Sequence, residues 1–387
     1  MAKQQFPFRI LHLLTSQSFG GLEMYVCSLI NKLQMLGIEN VLYCMPNSKV
    51  EKTAASLGIK TVHSKRSGTY ISISDIKKVR SLSHSKTIIH SHSRYNVWLG
   101  SLSAYFTKTP HVLSVYMNAV PKKDLLHRMI YRRVDAIQST SSLTNNQIKD
   151  FFHVNPAHIY RVPYGRDVEL LRIGDSLRNQ IRDKFNTSDK IVFGMMCRID
   201  EQKGIREFVE AFMLLSNELR DKVQFWIFGE PSISSLNEDG TPIYEKEGED
   251  LQIWLKSTLQ IIDKNEDSFR VFGFQNEYSG YLAAMDVFVL ASHCEMYSLS
   301  VIEAMILGKP IIGTNCGGTI EQIGDNQRGL LFTPKNAHQL SEAITEYIKY
   351  PEMRKNHGES ARHWAEKEHS WNISLESQIK IYQKLIS

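Results

Sequence analysis

The sequence predicts an α/β protein made of two doubly wound units, and two observations carry that expectation. Short apolar runs that read as buried strands alternate with longer segments of helical periodicity. This alternation relaxes near the middle of the 387 residues and then starts again, so each block calls for its own parallel sheet. The length suits two domains of ordinary size.

The first block supplies strands at Arg9 to Leu14, Asn40 to Cys44, Thr87 to His90, His111 to Val115 and Ala136 to Ser139. A polar stretch, Arg172 to Lys190, separates the blocks and sets a boundary near residues 165 to 185. The second block supplies strands at Ile191 to Met196, Val223 to Phe228, Phe269 to Phe272, Val287 to Ala291 and Pro310 to Thr314. Glu230 to Glu249 is acidic and long for a connection, and reads as a mobile insertion. The tail, Trp364 to Ile386, reads as a helix broken near Ser370, anchored by Trp371, Leu375, Ile379, Tyr382 and Ile386.

Composition narrows the class. With 42% hydrophobic and 22% charged residues, and no apolar run approaching a membrane span, the chain reads as a soluble globular protein. The first residues lack the apolar core and cleavage site of a signal peptide. Five cysteines, without a Cys-x-x-Cys spacing, argue for a reducing compartment and against a structural zinc site. Residues 1 to 170 hold 22 Lys and Arg against 9 Asp and Glu, a balance of +13, whereas the rest hold 24 against 32, a balance of −8. The basic half suits an anionic partner. Within it, Leu125, Leu126, Met129 and Ile130 share a helical face flanked by Lys122, Arg128, Arg132 and Arg133. That pattern fits either a helix at an anionic bilayer surface or one packed on a sheet with a basic rim.

Four constellations carry chemistry. Glu295 lies in the loop after the strand ending at Ala291, and Glu303 lies two turns into the following helix, Leu299 to Leu307. Ser298 is a natural N-cap, and a helix start there favours an anion such as phosphate. Phe19-Gly20-Gly21-Leu22-Glu23 follows the first strand and opens a helix, and its glycines permit close approach of a ligand. Arg198 and Lys203, after the first strand of the second block, suit a diphosphate. His90 and His92 alternate along a strand and share a face. Metal ligation is one reading of the pair. No Asp-x-Asp or His-Glu-x-x-His accompanies it, and we read His92 as facing substrate from the strand end and His90 as structural.

Together these segments resemble the retaining glycosyltransferases of family 4. The matching pieces are Phe19 to Glu23, Ile89 to Ser93, Val162 to Asp167, Cys197 to Gly204, Val271 to Gln275 and Glu295 to Gly318, in the family's order. The resemblance implies the GT-B fold, with two Rossmann-like domains facing across a cleft: residues 1–170 for the acceptor, 171–365 for the nucleotide-sugar, and a helix over 366–387 crossing back to the first domain. It implies a nucleotide-diphosphate sugar donor, expected to be a UDP-sugar. Glu303 then bonds the ribose and Glu295 the sugar hydroxyls. Arg198, Lys203 and the amides near Ser298 and Leu299 stabilise the departing diphosphate. The Gly20-Gly21 turn approaches the phosphates, Phe272 to Phe274 border the base, and Met296 and Phe274 line the donor. His92 joins the catalytic set.

No metal or other cofactor is expected, because cations and helix amides already serve the leaving group. Two departures fall on the acceptor side or at the hinge: Tyr116 where many members carry histidine, and Tyr164 where asparagine is usual. The implied activity is retaining hexosyl or N-acetylhexosaminyl transfer to a glycan or lipid-linked glycan. Its expected setting is lipopolysaccharide, capsule or other cell-surface polysaccharide synthesis, in the cytoplasm or peripherally on the inner membrane face. The non-hydrolysing nucleotide-sugar epimerases share the two-domain fold and form the alternative. With no RNA or DNA motif in the chain, nucleic acid is not an expected partner.

Overall fold

The computed structural model describes residues 6–386 apart from 18, 66–71, 237–240, 264–267 and 276. The chain divides into two compact units, Met1–Gly165 with Trp371–Ser387, and Arg166–Ser370. These divisions fall five residues from the boundaries expected at 170 and 365.

The first unit holds seven strands among the described residues: β1 (Arg9–Leu14), β2 (Glu39–Cys44), β3 (Lys60–His63), β4 (Thr87–Ser91), β5 (His111–Val115), β6 (Ala136–Ser139) and β7 (Ile159–Arg161). They form one parallel sheet in the order β3-β2-β1-β4-β5-β6-β7. β4 and β5 are buried along their whole length, as strands covered on both faces must be. The two edge strands, β3 and β7, are short and part-exposed, so neither has the continuous apolar run that marked the others. Strand order reverses between β1 and β4.

The helix Trp371–Ile386 also belongs to this unit and buries Trp371, Leu375, Ile381 and Tyr382. Of the expected anchors, Ile379 and Ile386 are only half-buried. Gln378 turns inward instead, because its amide exchanges hydrogen bonds of 2.7 and 3.1 Å with that of Gln138 on β6.

The second unit repeats the plan with β8 (Ile191–Met196), β9 (Val223–Phe228), β10 (Ile233–Leu236), β11 (Pro242–Tyr244), β12 (Phe269–Phe272), β13 (Val287–Leu290), β14 (Ile311–Thr314) and β15 (Gly329–Phe332). Its six-stranded parallel sheet runs β12-β9-β8-β13-β14-β15, with the order reversing between β8 and β13. β10 and β11 form a separate antiparallel hairpin. The segment read as a mobile insertion is therefore partly this hairpin, followed by the helix Lys246–Ile262, with 237–240 outside the described residues.

The polar stretch Arg172 to Lys190 is also more ordered than its composition suggests. Most of it lies in the helix Val168–Lys184. Two of its anchors are charged: Arg178 and Arg182 lie 2.6 and 2.9 Å from the Asp286 carboxylate, which also accepts from Val192 N–H. Burial pushes the Asp286 carboxyl up, but the Arg182 and Arg178 guanidiniums outweigh it and hold the group below its usual range.

In the first unit, the helix Leu125–Tyr131 turns Ile130 and Tyr131 inward and leaves Leu125, Leu126 and Met129 73%, 59% and 61% exposed. Met117 and Val120 are exposed just before it, and Lys123, Arg128, Arg132 and Arg133 are exposed within or beside it. Three of the four apolar residues expected on one face therefore point to solvent. No helix among the described residues is long and apolar enough to cross a membrane.

Candidate active site

In open parallel sheets, ligands bind beyond the carboxyl ends of the strands where strand order reverses. In the second unit that point lies after β8 and β13. β8 leads through Arg198 to a single 3-10 turn, Glu201–Lys203, capped by the Asp200 carboxylate, which accepts from Gln202 N–H. β13 leads into the loop of Glu295. The two loops are joined by His293 N–H donating to Gln202 O at 2.8 Å and by Lys203 Nζ lying 2.7 Å from Glu295 Oε2. Lys203 and Glu295 are about a quarter exposed or less, so the pair is reachable without being fully solvated.

Two glycines fix this loop. Gly318 N–H donates to Glu295 O at 2.9 Å. A Cβ on Gly317, whose φ is +62°, would come within 2.2 Å of that carbonyl, and one on Gly318 within 1.7 Å of Met296 O. Any larger residue would force the Glu295 loop away.

The helix Leu299–Ile306 starts at Ser298, whose Oγ accepts from Val301 N–H. The expectation that the Ser298 amide serves a ligand is not met. That N–H donates to Gln322 Oε1 at 2.9 Å, and Gln322 returns a bond to Ser298 O. Leu299 and Ser300 are the first two residues of this helix, whose first-turn N–H groups a helix cannot satisfy internally.

Glu303 is already engaged within the protein. Its Oε1 lies 2.9 Å from Arg166 Nε, and the Tyr278 hydroxyl donates to it. Burial raises its carboxyl above the usual value, while Arg166 and Tyr278 oppose the shift. Arg198 is exposed and donates to Ser232 Oγ at 2.8 Å, beside the hairpin. Phe274 is 61% exposed, with its N–H bonded to Glu230, and Met296 is half-buried. Tyr278 and Gln322 had no signal in the spacing, and Arg166, although inside the matching segment Val162 to Asp167, had none that tied it to Glu303, because each acts from a segment distant in sequence.

In the first unit the reversal lies after β1 and β4. Gly20 caps the helix Gly21–Met35, and its N–H donates to Glu23 Oε2 at 2.9 Å. Its φ is negative, and an added Cβ would meet only that carboxylate, at 3.7 Å. Packing within the protein does not require a glycine there, which leaves room for an approaching ligand.

His92 differs from the substrate-facing position expected of it. It is fully buried, in a chain of hydrogen bonds that fixes its tautomer. Asn40 Nδ2 donates to Ile38 O, so Asn40 Oδ1 accepts from His12 Nε2–H at 2.9 Å. His12 Nδ1 then accepts from His92 Nε2–H at 2.8 Å, and His92 Nδ1 accepts from the Tyr116 hydroxyl at 3.2 Å. His90 bonds Tyr382 and Ser114, both at 2.7 Å. Ring nitrogens of His12, His90 and His92 lie within 4.8 Å of one another, a spacing open to a metal, yet hydrogen bonds already occupy them.

Burial lowers His12 from 6.5 to about 4, with Asn40 opposing, and lowers His111 to about 3. His90 and His92 fall well below 6.5, through burial and then neighbouring imidazoles. The unfolded chain takes up protons near pH 6.5 where the folded one refuses them. The stability from these neutral rings is therefore complete above 6.5 and lost as pH falls. For His12, a shift from 6.5 to about 4 amounts to about 3 kcal/mol. Tm should drop steeply between pH 6.5 and about 5, above the main carboxylate range. A Tm flat across that window contradicts the buried-neutral network.

A family model described as "Glycosyl transferases group 1" matches residues 178–364, and one described as "Glycosyltransferase Family 4" matches residues 19–170. An uncharacterized glycosyltransferase of Methanocaldococcus jannaschii is 22% identical over 262 residues, covering 67% of this chain and 61% of that protein. The N,N'-diacetylbacillosaminyl-diphospho-undecaprenol alpha-1,3-N-acetylgalactosaminyltransferase of Campylobacter jejuni is 27% identical over 201 residues, covering 52% and 46%. The chain thus spans less than two thirds of the length of either curated relative. Among solved structures, Anabaena HepE in complex with UDP superposes with a TM-score of 0.80 at 16% identity, covering 98% of this chain and 99% of that one.

Proposed function

Because the chain belongs to the glycosyltransferases of group 1 and family 4 and has their GT-B fold, we propose that it transfers a sugar, with retention, from a UDP-sugar to a glycan acceptor. The observation that carries this reading is the Lys203–Glu295 pair in the loops after β8 and β13, with Glu295 just before the helix Leu299–Ile306, at the order reversal of the second sheet. Cation and amides suit the negative charge that develops on a leaving diphosphate. Arg198 adds a second cation by turning from Ser232. Glu295 accepts from sugar hydroxyls, and Glu303, held by Arg166 and Tyr278, accepts from the ribose. Gly20 and Gly21 give the first unit a second close-approach turn, and the His92–Tyr116 chain serves the acceptor. Uridine is chosen because the similar HepE fold is seen with UDP and with UDP-glucose.

The acceptor we favour is a lipid-linked glycan of a cell-surface polysaccharide. The exposed Leu125, Leu126 and Met129 among Lys123, Arg128 and Arg132 suit an anionic membrane surface, and the Campylobacter relative is named for a diphospho-undecaprenol acceptor. The protein should float with vesicles containing anionic lipid at low salt. Reversing Arg128 and Arg132 to glutamate should weaken that binding about tenfold or more. Absence of flotation at low salt removes the membrane clause.

The activity itself is tested by following a UDP-sugar by NMR, with and without a lipid-linked acceptor. Acceptor-dependent UDP release with the donor's anomeric configuration kept in the product supports the proposal. Epimerised donor without acceptor points to the epimerase reaction instead.

A further inference from the structure

Cys294 and Cys316 come from different loops and meet beside Glu295. The Cys294 thiol is exposed and the Cys316 thiol is half-buried, and Gly317, next to Cys316 in the chain, lies against the Cys294 sulfur. Backbone packing holds them there. Gly318 N–H donates to Glu295 O at 2.9 Å, and the Gly317 Cβ position lies 3.4 Å from Cys294 Sγ. We infer that Cys294 and Cys316 are a redox modification site, which peroxide joins as a disulfide and which thereby switches off the Glu295 loop.

The chemistry balances with hydrogen peroxide as oxidant. One thiolate attacks a peroxide oxygen, the O–O bond breaks, and after proton transfer the products are a sulfenic acid and water. The second thiol then attacks that sulfur, forming the S–S bond and releasing a second water. Overall, two thiols and one peroxide give one disulfide and two waters. Burial, then Cys316 and the Glu295 charge, raise the Cys294 thiol to about 11. Only the thiolate reacts, so oxidation is slow at neutral pH and speeds up as pH rises.

The effect on Glu295 follows from the absence of slack. The Gly317–Gly318 turn already lies against the Glu295 and Met296 carbonyls, so a new bond between the adjoining residues shifts Glu295 relative to Lys203. This functional consequence rests on the proposed donor role of that loop.

The test uses the full chain, reduced or treated with hydrogen peroxide, with unreduced peptide mass mapping and UDP calorimetry on the same samples. The expected result is a Cys294–Cys316 cross-linked peptide and UDP binding weakened at least about tenfold, both reversed by dithiothreitol. Cys294→Ser and Cys316→Ser should bind UDP as the reduced protein does and keep that affinity in peroxide. Peroxide that leaves the thiols unlinked, or oxidises them singly, overturns the site. A cross-link that leaves UDP affinity unchanged overturns the switch. If the reduced protein binds no UDP, the donor reading falls instead, and the mass map still decides whether the thiol pair is a modification site.

Discussion

Replacing Glu295 with alanine is expected to abolish transfer while the protein stays folded, and replacing Lys203 with alanine to do the same. The two side chains lie 2.7 Å apart, part-exposed, beyond the carboxyl ends of β8 and β13. Breaking an ion pair so close to solvent costs about 1 kcal/mol of stability or less. The catalytic cost is larger. In the proposed reaction Lys203 faces the leaving diphosphate, and removing one such preorganised charge costs on the order of a hundredfold to a thousandfold in kcat. The double variant should lose little beyond either single one, because the two act as a unit. Wild-type turnover in either variant, measured beside an unchanged melting curve, refutes the assignment.

Glu303→Ala is expected to do the reverse, with a marked loss of stability as well as of UDP affinity. The Glu303 and Arg166 side chains are only 12% and 14% exposed, so the substitution leaves a guanidinium nearly buried without its carboxylate. Losing one partner of such a pair costs about 3 to 5 kcal/mol. Glu303→Gln keeps the shape and an acceptor for Tyr278, and should recover part of the stability but less of the ribose binding. Calorimetry with UDP and denaturant melts separate the two effects. A Glu303→Ala protein as stable as wild type contradicts the pairing.

The central strands and the loop, helix and strand from Ser292 to Thr314 were legible in the sequence because parallel strands covered on both faces are continuous apolar runs. Edge strands β3, β7 and β15 were not, being short or part-exposed. The helix Val168–Lys184 was missed for a different reason. Two of its anchors are arginines bound to Asp286, so its buried contacts carry the residue types of a linker. The candidate site divides in the same way. Glu295, Lys203 and Ser298 lie within local motifs, and their positions follow from the strand and helix starts. The partners that decide their state do not: Gln322 occupies the Ser298 amide, Arg166 and Tyr278 occupy Glu303, and His12 with Asn40 fixes His92. These contacts join residues 24 or more positions apart, where periodicity carries no information.

In the proposed reaction the nucleotide diphosphate binds at the order reversal of the second sheet, on Lys203, Arg198 and the first turn of the helix Leu299–Ile306. Calorimetric titration of UDP into the wild-type protein and into Lys203→Ala and Arg198→Ala tests it most directly. Binding to the wild type should be saturable and should weaken about tenfold or more in each variant. No binding to the wild type, or equal affinity in all three proteins, would contradict it.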